Sequence, residues 1–105
     1  STSDLDWMPK QIIETSLSSM MLVDIRQQDM PIFYVNSAFE NLTGYSAAEV
    51  IGQNARFLQR DDHQQPAIEQ MQVALEQREN IVTTLRNYRK DGTLFWNEVR
   101  ISYLT

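Results

Sequence analysis

Two β-rich runs near the end of the chain, residues 81–88 and 94–104, constrain its fold more than any other feature, because they flank the tight-turn pair Asp91-Gly92. They form a hairpin. Side chains alternate faces along a strand, so the odd-numbered Ile81, Leu85, Phe95, Val99 and Ile101 make one face apolar, and that face looks inward. Asn87 and Asn97 share this parity, which points two carboxamides into an apolar space where an amide without a partner costs about 1–3 kcal/mol. A three-residue loop centred on Gly92, with the glycine in the left-handed region, sets Asn87 directly across from Asn97; a two-residue loop breaks that pairing. Two uses fit such a pair. The amides can read the polar edge of a planar ligand whose body fills the apolar space, or they can satisfy strand ends and each other. The residues alone leave both open.

Upstream, residues 20–25 and 32–36 are short strand-like runs joined by turn residues at Gln28-Asp29-Met30-Pro31, a second hairpin. Ser37-Ala38-Phe39-Glu40 and Ser46-Ala47-Ala48-Glu49 both have capping-box spacing and predict two short helices divided at Gly44. Pro66 in a first turn, followed by Ile68, Met71 and Leu75, predicts a longer helix ending near Arg78. Trp7, Met8, Ile12, Ile13 and Leu17 recur at helical spacing ahead of all this, so residues 1–19 read as a leading cap helix and residues 20–105 as the core. That helix can pack on its own sheet or on a second subunit. The order is helix, two strands, short helices, then two long strands: an α+β plan of antiparallel sheet with helices on one face. With 105 residues, 42% hydrophobic and 22% charged, one globular domain is expected.

Several function classes fall away. The net charge of -5 and a longest basic run of only Arg89-Lys90 speak against nucleic acid. The absence of cysteine removes disulfides, thiol nucleophiles and zinc ribbons. No apolar run nears the roughly 20 residues that cross a bilayer, so no membrane association and a cytoplasmic location are expected. His63, after Asp61-Asp62, reads as a solvated loop, and no metal site is expected. There is no Ser/His/Asp set, no paired pocket carboxylates and no Gly-rich phosphate loop, so an enzyme is not expected.

Gly52-Gln53-Asn54-Ala55-Arg56-Phe57-Leu58-Gln59 sets one arginine among amides and apolar residues after a capped helix. Its guanidinium is suited to a phosphate, although an arginine in a short surface helix is more often simply solvated. This stretch resembles the LOV (light-oxygen-voltage) signature Gly-x-Asn-Cys-Arg-Phe-Leu-Gln of the PAS superfamily. Asn87-Tyr88-Arg89-Lys90-Asp91-Gly92 with Phe95-Trp96-Asn97 is similar to the family's second signature. Asn36-Ser37-Ala38-Phe39 and Thr43-Gly44-Tyr45-Ser46 match its early segment. The resemblance runs from about Met20 to Tyr103. It implies a PAS/LOV fold and a blue-light photosensory domain binding flavin mononucleotide (FMN), with riboflavin or FAD as substitutes. Asn87 and Asn97 would bond the pyrimidine side of the isoalloxazine, Asn54 and Gln59 the ribityl chain, and Arg56 the phosphate. Phe39, Ile51, Leu58, Leu85, Val99 and Ile101 would wall the ring.

Three departures qualify what the resemblance implies. Ala55 stands where the family has its photoactive cysteine, so no cysteine adduct is expected, and the flavin should be fluorescent or photoreducible by an aromatic donor such as Trp96, Tyr88 or Trp7. Gln72, one turn beyond Ile68 and expected on the inner helix face, stands where many relatives have a second phosphate-binding arginine and keeps hydrogen bonding without charge. Relatives in the family continue into a fifth, central strand, which the resemblance leads one to expect is not included in these 105 residues. Expected partners are the flavin, a second copy through the leading helix or the sheet face, and an effector domain in the full-length protein. The alternative is a PAS-type interaction or dimerisation module without ligand.

Overall fold

The computed structural model describes residues 18–103, so the leading helix expected over residues 1–19 lies almost wholly outside the described residues. β1 (Met21–Val23) pairs antiparallel with β2 (Ile32–Val35), Met21 opposite Val35 and Leu22 opposite Tyr34, with an irregularity before Val23. β1 is shorter than the run from 20 to 25 suggested, because Asp24 turns the chain. Its buried carboxylate accepts from the Arg26 backbone N–H, from Arg26 Nε and from Gln27 Nε2 at 2.9–3.0 Å. The turn then passes through left-handed Asp29 (φ 68°) and Met30 (φ 44°).

α1 (Ser37–Thr43) starts one residue earlier than its expected capping box. Asn36, not Ser37, is the N-cap: its buried Oδ1 accepts from Phe39 N at 3.0 Å and from Met20 N at 2.9 Å, while its Nδ2 donates to Ser18 O at 2.9 Å. The carboxamide accepts through Oδ1 and donates through a separate Nδ2, so Asn36 meets the helix N-terminus and the preceding segment together, and Glu40 is left to accept from Ala47 N at 2.7 Å instead. α1 ends at left-handed Gly44, whose N–H donates to Glu40 O at 2.9 Å. α2 (Ala47–Val50) carries the second box as expected, with Ser46 and Glu49 exchanging bonds at 3.3 and 2.9 Å. A 3-10 turn, η1 (Ala55–Gln59), follows, and then α3 (Pro66–Gln77), with Pro66 in its first turn and left-handed Arg78 at its end. Ala67 and Ala74 are its buried residues, one helical face seven positions apart, and α3 packs on the next strand.

β3 (Ile81–Tyr88) and β4 (Leu94–Ile101) form the long hairpin. Its register differs by two from the expected one: Asn87 faces Phe95 and Asn97 faces Leu85. The loop is indeed three residues with Gly92 left-handed (φ 92°), yet Asp91 stands at its tip. The reason is local, since Gly92 N donates to Arg89 O at 2.8 Å and Arg89 N to Thr93 O at 2.9 Å, while Asp91 Oδ1 accepts from Thr93 N and Oγ1. The described residues thus form two antiparallel two-stranded sheets with short helices between them in sequence, the α+β plan. Among the described residues β1 has only β2 as strand neighbour and β4 only β3. One core cluster, Ile32, Val35, Phe39, Val50 and Leu58, joins the first sheet to α1, α2 and η1, and Ala55 and Phe57 pack against it.

Candidate functional site

The inner face of the β3–β4 hairpin follows the parity of its residues. Leu85, Asn87 and Phe95 are buried, Ile81, Asn97, Val99 and Ile101 are half-buried, and the even-numbered Val82, Leu94 and Trp96 are exposed. Asn87 and Asn97 are diagonal neighbours on this face, a relation that lets side chains touch without facing each other directly. Asn97 Nδ2 donates to Asn87 Oδ1 at 2.9 Å, and Asn87 Nδ2 donates to Arg86 O at 3.0 Å. Asn97 Oδ1 accepts from no described residue, so the pair keeps an acceptor available beside an apolar floor.

β3 packs against η1, which brings a second group of residues to this face. Phe39 and Leu58 are buried in the cluster against which the Ala55 methyl rests. Asn54 caps η1, its Oδ1 accepting from Arg56 N at 2.9 Å and its Nδ2 donating to Asp29 O at 2.6 Å. Arg56 bonds the Asp29 carboxylate at 2.7 Å, a pair that lowers the carboxyl's pKa and raises the guanidinium's. Gln59 Oε1 lies 3.2 Å from His63 Nδ1. Two predicted site residues are exposed: Ile51 is 44% exposed, and Gln72 faces solvent rather than lying on the inner face of α3.

Asp29 had no mark in the sequence beyond turn chemistry, yet it engages both Asn54 and Arg56 across more than 20 residues of chain. A second network was equally hidden. Asp62 accepts from Arg86 Nε at 2.6 Å, Arg86 NH2 at 2.8 Å and Tyr88 Oη at 2.6 Å. Those bonds hold the Asp62 carboxyl well below the usual carboxylate range and raise the Tyr88 phenol. Buried Gln65 accepts from Arg86 N at 2.7 Å and donates to Arg86 O at 3.0 Å, closing one position of the β3 edge as a neighbouring strand would. A solvent-open hollow of about 570 Å³ lined by Tyr45, Glu49, Gln53, Phe57, Arg60 and Asp61 includes none of the predicted site residues. Among the described residues no cluster of three His, Cys, Asp or Glu could hold a metal, and no helix is long and apolar enough to cross a membrane.

The paired amides lie on an apolar hairpin face with a capped 3-10 turn packed against β3, and the PAS domain family matches residues 18–105. The chain is 44% identical over 81 residues to the blue-light-activated histidine kinase 2 of Erythrobacter litoralis, covering 77% of this chain and 23% of that protein. It therefore spans about a quarter of that relative's length. The LOV domain of the Erythrobacter litoralis blue-light-activated histidine kinase EL346 superposes with a TM-score of 0.75 at 44% identity, over 78% of this chain and 75% of that one. A light-oxygen-voltage domain from work on a flavin analogue superposes with a TM-score of 0.86 at 37% identity, over 96% and 75% of the two chains. The chain belongs to the LOV domains of the PAS family.

Proposed function

We propose that this chain is a blue-light-sensing module that binds FMN between the β3–β4 inner face and the η1–Phe39 wall, and that Ala55 deprives it of the covalent step. The observation that carries the reading is the Asn87–Asn97 amide pair, one buried and one half-buried on an apolar face with an acceptor to spare, in a hairpin whose β3 packs against η1. The donor set fits a flavin: amides for a heterocycle that both donates and accepts, apolar side chains for the ring faces, and a guanidinium for a phosphate. Bound flavin supplies the absorption of blue light. Asn87 and Asn97 hold its pyrimidine edge, Phe39, Leu58, Leu85, Val99, Ile101 and the solvent-facing Ile51 enclose the ring, Asn54, Gln59 and Gln72 meet the polar tail, and Arg56 meets the phosphate. At position 55 a methyl group rests against the core where a thiol would be needed to bond the flavin, so absorbed light returns as fluorescence or draws an electron from a nearby aromatic residue.

The module acts as the cytoplasmic sensory input to an effector, without catalysis of its own, with residues 1–19 as a cap that meets the sheet or a second copy. Visible absorption and emission of the purified protein, before and after blue illumination, test the reading. Structured blue absorption with green emission and no bleaching is expected, and Ala55→Cys should restore reversible bleaching. The exposed Val82, Leu94 and Trp96 on the outer hairpin face favour partner contact as a second reading. A colourless protein that ignores added FMN would leave that reading alone.

A further inference from the structure

The β1–β2 turn reaches into the tail end of the proposed flavin site. Asp29 sits in left-handed backbone (φ 68°), a conformation that aspartate and asparagine adopt more readily than most residues, and from there its carbonyl takes Asn54 Nδ2 while its carboxylate takes Arg56. Two of the groups assigned to the flavin tail are thus already engaged by one residue. Two other cations are engaged elsewhere: Arg60 donates to Arg89 O and Lys90 O at 2.9 and 3.0 Å, and Lys90 Nζ pairs with Glu49 at 2.6 Å. Gln72 adds no charge.

Resting on the flavin reading, we propose that Asp29 sets ligand specificity by acting as an internal anion on Arg56, so that a 5′-phosphate adds little affinity and riboflavin is held nearly as well as FMN. A phosphate approaching Arg56 meets a guanidinium whose charge is already matched and a carboxylate that repels it. An uncharged tail meets neither effect. The pair is open to water, with side chains 58% and 60% exposed, so it adds little to folding while still deciding which ligand charge is welcome. Asparagine at position 29 keeps the left-handed turn and the carbonyl bond to Asn54, and it removes only the charge.

The test titrates ligand-free protein with FMN and with riboflavin, followed by fluorescence, for the wild type, Asp29→Asn, Arg56→Gln and the double variant. Asp29→Asn should tighten FMN by about 3- to 10-fold, leave riboflavin unchanged, and lose that effect when Arg56 is also replaced. Weaker FMN binding in Asp29→Asn would overturn the proposal, since Asp29 would then be orienting Arg56 for the phosphate. An equal shift for both flavins would overturn it too, as a purely structural effect. If neither flavin binds the wild type, the flavin reading fails, and the hold of Asp29 on Arg56 is decided in the ligand-free protein by carboxyl NMR titration. A depressed Asp29 pKa that rises in Arg56→Gln supports the hold, and one that does not move refutes it.

Discussion

The two ends of the candidate site are built differently. The ring end of the proposed site has Phe39, Leu58, Leu85 and Asn87 buried, Asn97, Val99 and Ile101 half-buried and Ile51 more exposed, and its two amides are bonded to each other and to backbone. The tail end, formed by Asn54, Arg56, Gln59 and Gln72, is half-buried or exposed; Asp29 engages Asn54 and Arg56, and His63 lies against Gln59. Burial makes the first end a condition of folding, because an unmatched amide or a void there costs stability directly. Water makes the second end adjustable, because an exposed ion pair such as Asp29–Arg56 can be altered at little cost to folding. On the proposed flavin reading, recognition of the ring would be fixed with the fold, whereas selection among flavin tails could change without disturbing it.

The largest effect should come from emptying the buried end. Phe39→Ala removes a side chain that is 3% exposed from the core cluster, and unfolding by denaturant should show a loss of about 3–5 kcal/mol. Next is Asn87→Ala, which takes away the acceptor of Asn97 Nδ2 and should cost about 1–2 kcal/mol, together with weaker flavin retention and a shifted absorption spectrum. Unchanged binding and spectrum in Asn87→Ala with Asn97→Ala would erase the distinction between the two ends. Gly92→Ala places a side chain at φ 92° at the hairpin tip and should destabilise by about 1–2 kcal/mol while leaving the flavin spectrum as it was. A spectral change there would show that the ring end depends on the loop.

The same contrast separates what the sequence displays from what it hides. Period-two alternation marked Leu85, Asn87, Phe95 and Asn97 as inward, and the capping box at Ser46, Pro66 in a first turn and Gly44 as a helix stop are all local chemistry read over a few residues. Register was less visible. Asn87 and Asn97 touch diagonally because bonds around Asp91 and Thr93 move the loop tip by one position, and a one-position move shifts strand partners by two. The first capping box misled for a similar reason: Asn36 competes with Ser37 for the same backbone donors and also binds Ser18 and Met20. Asp29 with Arg56, Asp62 with Arg86, and Gln65 along β3 join residues 21 to 27 positions apart, and no local period announces such a bond.

The smallest predicted effect concerns the clasp between the hairpin tip and α2, which links the two ends from outside. Lys90 Nζ and the Ser46 N–H both bond Glu49 and bring its carboxyl down to about 2 from the ordinary 4.5. A carboxyl lowered in the folded state stabilises above its unfolded pKa, and that contribution fades as pH falls from about 4.5 toward 2. Between those values the clasp should loosen, yet Lys90 N still donates to Thr43 O at 2.8 Å and Arg89 Nε to Leu42 O at 3.0 Å, neither of which titrates there. Carboxyl NMR should accordingly show Glu49 titrating low in the wild type and moving up in Lys90→Met, with the amide signals of Asn87 and Asn97 unmoved. If the amides follow Glu49, the buried end is coupled to surface charge, and the division between a fixed ring end and an adjustable periphery does not hold.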